Sequence, residues 1–403
     1  MDGAGRDWSR LTTLLLNAEP RRQSFPTGVA RLHELAELVR ESVVPTADDQ
    51  RRYVALEHVD SGDIAITRNG VAGTARSSKF SFRRGDVLYG KLRPYLDKAV
   101  LAEWEGLAST EFLVLRATAQ TDPTFLAFTM HSPAVLRHAV ATTAGVNHPR
   151  TSWEALSAAE VYAPPLDEQR RIAWILSAIQ RTRAASELEW SRSVTVRDVL
   201  LRDLLTPTAA WQTYELPEVI DFQEGPGIMA RDFRSEGVPL VRLAGLTKAS
   251  DLLRGCNHLD PDMVDRRWSH FRLQLGDTLL SSSATLGRVS SVGPDAVGAI
   301  AYTGIIRMRP QNDTISPSFI PFMLRGPEFQ EQAKSAGIGS VMRHFGPSHL
   351  RRMEISVPPL AVQGGAISTV SAADALVEAI AKRSQALDRV FEATLKSLLS
   401  DRL

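Results

Sequence analysis

The stretch YAPPLDEQRRI, residues 162–172, has a second copy later in the chain, SVPPLAVQGGA, residues 356–366. Four residues match at a constant offset of 194, Pro164, Pro165, Leu166 and Gln169 with Pro358, Pro359, Leu360 and Gln363. A match at one fixed offset indicates an internal duplication, which determines how the rest of the chain is interpreted.

The repeat extends on both sides of this stretch. Downstream, LLRDLLTP (200–207) aligns with TLKSLLSD (394–401) at the same offset. Upstream the offset drifts, since Gly85-Asp86 aligns with Gly276-Asp277 at 191 and Arg116 with Arg309 at 193. Small insertions in surface loops explain such drift. The sequence therefore predicts two related halves in tandem.

Each half has the same internal order. Short runs of strand-forming residues between glycines and prolines come first, such as DVLYGKL and EFLVLRA in the first half and DTLLSSS and GIIRMRP in the second. A helical segment, the Pro-Pro pair and a long stretch with little Gly or Pro follow. This last stretch, 167–205 and about 361–399, predicts an amphipathic helix of coiled-coil type roughly 58 Å long. Asp167 is the expected N-cap of the first helix, and Thr206-Pro207 is expected to end it.

The two long helices allow two arrangements. They can run antiparallel with their apolar stripes together and act as a spacer between the globular parts, or each can fold back on its own domain. We predict the spacer, and with it an α+β fold with two tandem mixed α/β domains, two long antiparallel helices and pseudo-twofold symmetry. The predicted boundaries are 1–163 and 208–357 for the domains, and 164–207 and 358–403 for the helices.

Bulk composition narrows the class of protein. The 403 residues carry a formal net charge of only +1, so any basic surface must be local. Cys256 is the only cysteine, which excludes disulfides within the chain and fits a reducing cytoplasm. The first residues, MDGAGRDWSR, are unlike a secretory signal, and the apolar run that follows is too short to span a membrane.

Common catalytic motifs are absent from the sequence. There is no G-x-S-x-G, H-E-x-x-H or G-x-G-x-x-G pattern. The run GDVLYGKL (85–92) resembles a phosphate-binding loop, but Leu92 stands where a magnesium-binding Ser or Thr is required, and the second copy lacks both the second glycine and the lysine. His148, His344 and His349 have no metal-ligand spacing, so we expect hydrogen-bonding roles for them. The sequence thus predicts neither catalysis nor a metal site.

Local clusters of basic and short polar side chains suit DNA. Six cations lie between Lys79 and Lys98 with Tyr89 and Tyr95 among them, and the segment from Val341 to Arg352 is basic without any acid. Such side chains neutralise phosphates and bond base edges, although a solvated basic face is the alternative. The candidate DNA-binding residues are Lys91, Arg93, Asn147, His148, Arg150, Ser281, Ser282, Ser283, Thr285, Arg288, Arg343 and His344.

These features resemble one known family. The runs FRRGDVLYGKLRPYLDKAV, PPLDEQRRI, WQTYELPEVIDFQEGPG and LQLGDTLLSSSATLGRVSSVG are similar to the specificity subunits of type I restriction-modification systems. The resemblance covers the chain from about Tyr53 onward, and the first fifty residues match less well. One departure is Gly364-Gly365 in the second helix, which is expected to weaken that helix start.

The resemblance implies a non-catalytic bacterial or archaeal protein of the cytoplasm that recognises a bipartite, asymmetric DNA site. Two methyltransferase subunits would dock on the helices and carry S-adenosylmethionine, and motor-nuclease subunits with ATP and magnesium could join them. A related defence system without that nuclease and a coiled-coil scaffold that does not bind DNA are the alternatives. The candidate spacer and docking residues are Ile172, Ile175, Ile179, Leu201, Ile367, Val370, Leu387 and Phe391.

Overall fold

The computed structural model of the protein describes residues 28–74, 76–145, 147–247, 251–282, 288–335 and 345–399. The described residues form two compact units. The first unit contains those up to Glu187 and those from Lys382 onward, and the second contains Leu188–Ala381. Each unit therefore includes one part of each long helix.

The first unit contains eleven described strands, four whole helices and the first part of a fifth. The strands are β1 Val29–Arg31, β2 Ala36–Val39, β3 Ser42–Val43, β4 Arg52–Val54, β5 Gly70–Val71, β6 Lys79–Phe82, β7 Val87–Gly90, β8 Ala99–Leu101, β9 Gly106–Ala108, β10 Phe112–Ala117 and β11 Glu160–Tyr162. The helices are α1 Leu32–Leu35, α2 Pro123–Met130, α3 Pro133–Ala141, α4 Trp153–Leu156 and α5 Leu166–Leu205, which continues into the second unit.

The second unit repeats this plan. Its described strands are β12 Gln212–Glu215, β13 Ile220–Glu224, β14 Phe233–Arg234, β15 Val238–Val241, β16 Asn257–Leu259, β17 Thr278–Ser281, β18 Val289–Ser291, β19 Ile300–Ala301, β20 Ile305–Pro310 and β21 Glu354–Val357. Its helices are α6 Leu216–Val219, α7 Pro261–Arg267, α8 Ile320–Met323, α9 Pro327–Ser335, α10 Pro347–Leu350 and α11 Leu360–Leu399, which continues into the first unit.

Two of the three sheets in each unit correspond strand by strand, and the third has five strands in the first unit and four in the second. An antiparallel sheet of order β2-β10-β7-β8 in the first unit matches β13-β20-β17-β18 in the second. A two-stranded ribbon, β1-β11 or β12-β21, precedes each long helix. The third sheet of each unit contains a parallel pair, Tyr53-Val54 with Leu107-Ala108 and Leu240-Val241 with Ile300-Ala301. The predicted duplication and the mixed α/β character of both halves are confirmed.

An ion pair between a buried aspartate and a half-buried arginine occupies the same place in each unit. Gly85, with a φ of 91°, turns the chain into β7, and Asp86 beside it is 1% exposed and accepts Nε and Nη2 of Arg116 at 2.8 and 2.9 Å. In the second unit Gly276 has a φ of 83°, and Asp277 accepts Arg309 at 2.8 and 2.7 Å. The glycine supplies the left-handed backbone that this turn requires. The three matching positions of the sequence, a glycine, an aspartate and an arginine, thus form the same turn and ion pair in each half.

A fully buried glutamine attaches each long helix to its domain. Gln169 accepts the backbone N–H of Asp122 and donates to the carbonyls of Gln120 and Pro164. Gln363 likewise accepts Ser316 N–H and donates to Thr314 and Pro358. In each case all the hydrogen-bonding groups of the amide have protein partners at 2.8–3.1 Å. This explains why glutamine recurs at the two helix starts.

Both long helices have 40 residues, and their bounds agree within one residue with the predicted stretches 167–205 and 361–399. The N-cap assignment was wrong, because α5 already begins at Leu166 and Asp167 lies within its first turn, where its charge still faces the positive end of the helix. Gly364-Gly365 does not shorten α11, which starts at the position equivalent to the start of α5.

The two helices run antiparallel. In the first unit Arg183 of α5 donates to Asp388 of α11 at 2.8 Å and stacks on Phe391. In the second unit Arg197 of α5 lies 3.9 Å from Asp374 of α11. Residue numbers rise along one helix as they fall along the other, as predicted. Since the second part of α5 packs in the second unit, the alternative in which each helix folds back on its own domain is wrong.

The helix α11 is also apolar enough, by length and composition, to cross a membrane. It is the one helix in the described part of the chain that meets this test, and only 17% of its apolar window is buried. A single such helix is weak evidence, because packed helices of soluble proteins share this composition. Both parts of α11 contribute side chains to hydrophobic cores, including Ala366 in the second unit and Phe391 in the first.

Candidate nucleic-acid interface

Two backbone segments of the first unit cross beside the end of β7 and bring five candidate residues together. Lys91 donates its N–H to Glu111 and accepts Thr151 N–H, at 2.9 and 3.0 Å. Arg93 donates its N–H to the carbonyl of Pro149 at 2.7 Å. The partner segment is a tight loop closed by two hydrogen bonds between Ala144 and Arg150. Lys91, Arg93, Asn147, His148 and Arg150 therefore belong to one surface, which we call the basic crossing.

The cations of the basic crossing differ in their partners. Arg150 forms a bidentate ion pair with Glu111, both N···O distances being 3.0 Å. The hydrogen bonds from Arg150 and the positive charges of Arg150, Lys91 and His148 lower the pKa of Glu111 although burial opposes this. Within the described ranges, Lys91 and Arg93 form no ion pair, so the basic crossing carries excess positive charge.

The glycine of the apparent phosphate-binding loop has a packing role. Gly90 donates to Lys98 across the β7–β8 pair, and a Cβ at this position would lie 3.0 Å from Leu56 Cδ2 and 3.2 Å from Lys98 O. Such contacts are tighter than ordinary van der Waals contact, so the close approach of these segments favours glycine. A cleft of about 370 Å³ beside it is lined by Lys91, Arg150 and Trp153 among others.

The second unit contains an equivalent crossing. Ser282 donates its N–H to Gly304 and accepts the N–H of Phe345, at 2.9 and 3.0 Å, which reproduces the backbone bonds of Lys91. The side chains of Ser281 and Ser282 are 0% and 1% exposed, so they are part of the core and the prediction that they contact DNA does not fit their burial. Arg288 is half-buried, and its backbone N–H donates to Ser281 Oγ at 3.1 Å.

Four candidates of the second unit lie outside the described residues: Ser283, Thr285, Arg343 and His344. Of the histidines expected to make hydrogen bonds, His349 accepts the N–H of Gly346 at 3.3 Å and stacks on Phe345. Within the described ranges, no group of three His, Cys, Asp or Glu side chains is arranged to hold a metal ion.

The candidate docking residues of the long helices are packed inside the protein itself. Ile172, Val370 and Phe391 are buried, and the others are half-buried, namely Ile175, Ile179, Leu201, Ile367 and Leu387. They hold the helices in place and leave other faces free. Large apolar side chains are exposed on those faces, Trp174, Leu188, Trp190, Val196 and Val199 of α5 and Leu360, Val362, Leu376 and Val390 of α11.

Comparison with known proteins was made by sequence and by fold. No family model matches the chain. It is 20% identical over 285 residues to the type I restriction enzyme MjaVIII specificity subunit of Methanocaldococcus jannaschii, covering 65% of this chain and 66% of the relative. It is 22% identical over 218 residues to the EcoDI specificity subunit of Escherichia coli, covering 51% and 48%. The chain thus spans about two thirds and about half of these relatives.

Two solved structures share the fold. One comes from a study of complex assembly and conformational transition of the type I restriction-modification system, with a TM-score of 0.59 and 20% identity over 94% of this chain and 99% of the other. The other is the type I S subunit of M. genitalium, with a TM-score of 0.58 and 15% identity over 96% and 99%. The resemblance inferred from the motifs is confirmed: the chain has the fold of type I specificity subunits and is similar to them in sequence.

Proposed function

We propose that this chain is the DNA sequence-specificity subunit of a type I restriction-modification complex. The observation that carries the proposal is the equivalent crossing in each of two related units, both attached through a buried glutamine to a long helix. Two related units with different side chains at the crossing suit a bipartite, asymmetric site, with one half-site for each unit. The names of the similar proteins support the same function.

The same proposal includes the division of labour that the resemblance to type I specificity subunits implies. The chain would recognise DNA without catalysing a reaction, and two methyltransferase subunits would supply S-adenosylmethionine. Motor-nuclease subunits with ATP and magnesium would complete a restriction complex in the cytoplasm of a bacterium or archaeon. Domains 1–163 and 208–357 would bind the half-sites, and helices 164–207 and 358–403 would separate them. A related defence system without that nuclease is the second candidate.

Footprinting of the assembled complex tests the bipartite site. In the footprint we expect two protected half-sites separated by bases whose identity does not matter. Methylation-sensitive sequencing of DNA from cells that carry the complex gives the motif itself. A single continuous protected sequence would contradict the assignment of one half-site to each unit.

Lys91 and Arg93, the two cations of the basic crossing without an ion pair in the described ranges, should contribute to the salt dependence of DNA binding. Replacing Lys91 or Arg93 by alanine should each reduce the slope of log affinity against log salt by about one, because each cation releases one counterion from DNA. Arg68→Ala is the control, since this exposed cation of the same unit is already paired with Asp60. Unchanged slopes in both test variants would favour the scaffold that does not bind DNA.

Exposed tryptophans of α5 should contribute to docking of the methyltransferase. Trp174 is 61% exposed, and aromatic side chains of this kind dominate the binding energy of protein interfaces. Trp174→Ala should weaken binding of the methyltransferase subunit by about 2 kcal/mol, measured by calorimetry. The control is Arg181→Ala, an exposed residue of the same helix. Equal affinity of the two variants would place the docking surface elsewhere.

A further inference from the structure

The loop that begins at Arg93 of the basic crossing and ends at Asp97 has a strained backbone. Arg93 and Asp97 have φ values of 51° and 48°, and they are the only non-glycine residues with positive φ in the described ranges. They flank a single helical turn, Pro94–Leu96. Non-glycine residues adopt this conformation at an energetic cost and keep it only where the surroundings enforce it.

Hydrogen bonds from three directions enforce this conformation. Arg93 N–H donates to Pro149, and the carbonyl of Asp97 accepts Gly62 N–H at 2.9 Å. His131, at the end of α2 and 4% exposed, contacts Asp97 Oδ1 through Nδ1 and the carbonyl of Ala99 through Nε2, each at 2.8 Å. The loop is therefore shaped before any ligand binds.

The tip of this loop presents apolar surface to solvent. Tyr95 is 55% exposed and Leu96 is 39% exposed. Pro94, which precedes them, is buried. Lys91 and Arg93, which form no ion pair within the described part of the chain, lie within four residues of Tyr95 in the sequence. An aromatic side chain on a rigid support beside cations is the arrangement with which proteins stack on bases or fill a DNA groove.

We propose that the loop Arg93–Asp97 is a preshaped DNA-contact element in which Tyr95 makes a non-ionic contact with the duplex and His131 is the positioning residue. The proposal rests on the function proposed above and deepens it. Lys91 and Arg93 would bind phosphates, which contributes affinity without sequence information, whereas Tyr95 would contact bases or sugars of the half-site.

The charge state of His131 follows from its two partners. Both ring nitrogens face acceptors, so both must carry a proton when Asp97 is ionised. Burial alone would lower the pKa of His131, but the hydrogen bond and charge of Asp97, the bond to Ala99 and the charge of Asp63 together raise it above 6.5. The Tyr89 hydroxyl, near Asp97, has its pKa raised by burial and by that carboxylate and stays neutral.

Binding of the full chain to a labelled duplex that carries the methylated motif tests the role of Tyr95. Tyr95→Ala should weaken binding roughly tenfold without changing the salt slope, because no counterion is involved. Tyr95→Phe should bind within about twofold of the parent, since the ring remains. Val71→Ala, which truncates an exposed apolar residue of the same unit, is the control. Wild-type affinity of Tyr95→Ala would overturn the proposal.

His131→Asn tests the positioning role. It should weaken binding by a factor similar to that of Tyr95→Ala, and the double variant should lose little more, because both changes remove one contact. Since the raised pKa of His131 stabilises the loop fully below pH 6.5 and this contribution is lost as the pH rises through that pKa, the affinity of the parent should fall over that range by more than the affinity of the His131→Asn variant. Additive losses, or equal pH profiles, would overturn the role of His131.

The outcomes separate this inference from the proposed function. If Lys91→Ala and Arg93→Ala lower the salt slope while Tyr95→Ala binds normally, the DNA-binding function stands and the contact element is wrong. If none of these variants affects binding to the duplex, both fail. Tyr95→Ala changes only an exposed side chain, so its result does not depend on whether His131→Asn folds.

Discussion

Replacing Arg116 by alanine should lower the free energy of unfolding of the first unit by about 3–5 kcal/mol. Asp86 is 1% exposed, and without Arg116 its carboxylate would keep only the N–H of Arg83, at 2.9 Å. An uncompensated buried charge is among the most destabilising changes that one substitution can make. Chemical denaturation followed by hydrogen exchange of β7 would measure the loss.

The second unit supplies a matched experiment. Arg309→Ala should destabilise it by a similar amount, because Asp277 would keep only the N–H of Gln274 at 2.7 Å. Arg68→Ala removes an exposed partner from an exposed carboxylate and should change stability by less than about 1 kcal/mol. If Arg116→Ala and Arg68→Ala had equal effects, the buried pair would not stabilise the fold as argued.

Loss of the glutamine anchor should release the start of each long helix. Gln169→Ala leaves one N–H and two carbonyls without their partner in a fully buried place, so we expect a loss of about 3 kcal/mol. Gln363→Ala should cost the second unit about as much. Denaturation gives the stability, and hydrogen exchange in the first turns of α5 and α11 shows where protection is lost.

Two variants control for side-chain size and for the residue type. Gln169→Glu keeps the shape but turns a donor of two hydrogen bonds into an oxygen facing two carbonyls, so it should be as damaging as alanine. Gln50→Ala removes an exposed glutamine of the same unit and should be nearly neutral. A neutral Gln169→Glu would show that the helix start is held by its apolar contacts alone.

The repeat was sufficient to predict the fold because the residues that match are fixed inside it. Gln169 and Gln363 anchor helices, and Asp86 and Asp277 are buried carboxylates that each need an arginine partner, so each half needs the same side chains at the same places. The long helices were predictable from their spacing of apolar residues and from the prolines before them. The N-cap was not, because helix ends depend on local geometry that residue type specifies only within a residue or two.

The candidate site was predicted less completely, since residue type does not determine exposure. Ser281 and Ser282 suit DNA by chemistry, but the first ends strand β17, the second follows it, and both are buried. Arg150 is paired with Glu111, which is 39 residues away in sequence and was not identified as a partner. The interleaved Tyr95 was visible in the sequence, whereas the strained backbone and His131 that position it depend on tertiary contacts.

The composition of the two units has a consequence for biosynthesis. The core of the first unit includes Phe391 and Leu399, which the ribosome adds at the end of the described chain, more than two hundred residues after the last strand of that unit, Glu160–Tyr162. Domains commonly fold in the order of their synthesis. Here the order of completion is the reverse: a nascent chain that has reached Ala381 contains every residue of the second unit, while the first unit still lacks the part of α11 that begins at Lys382.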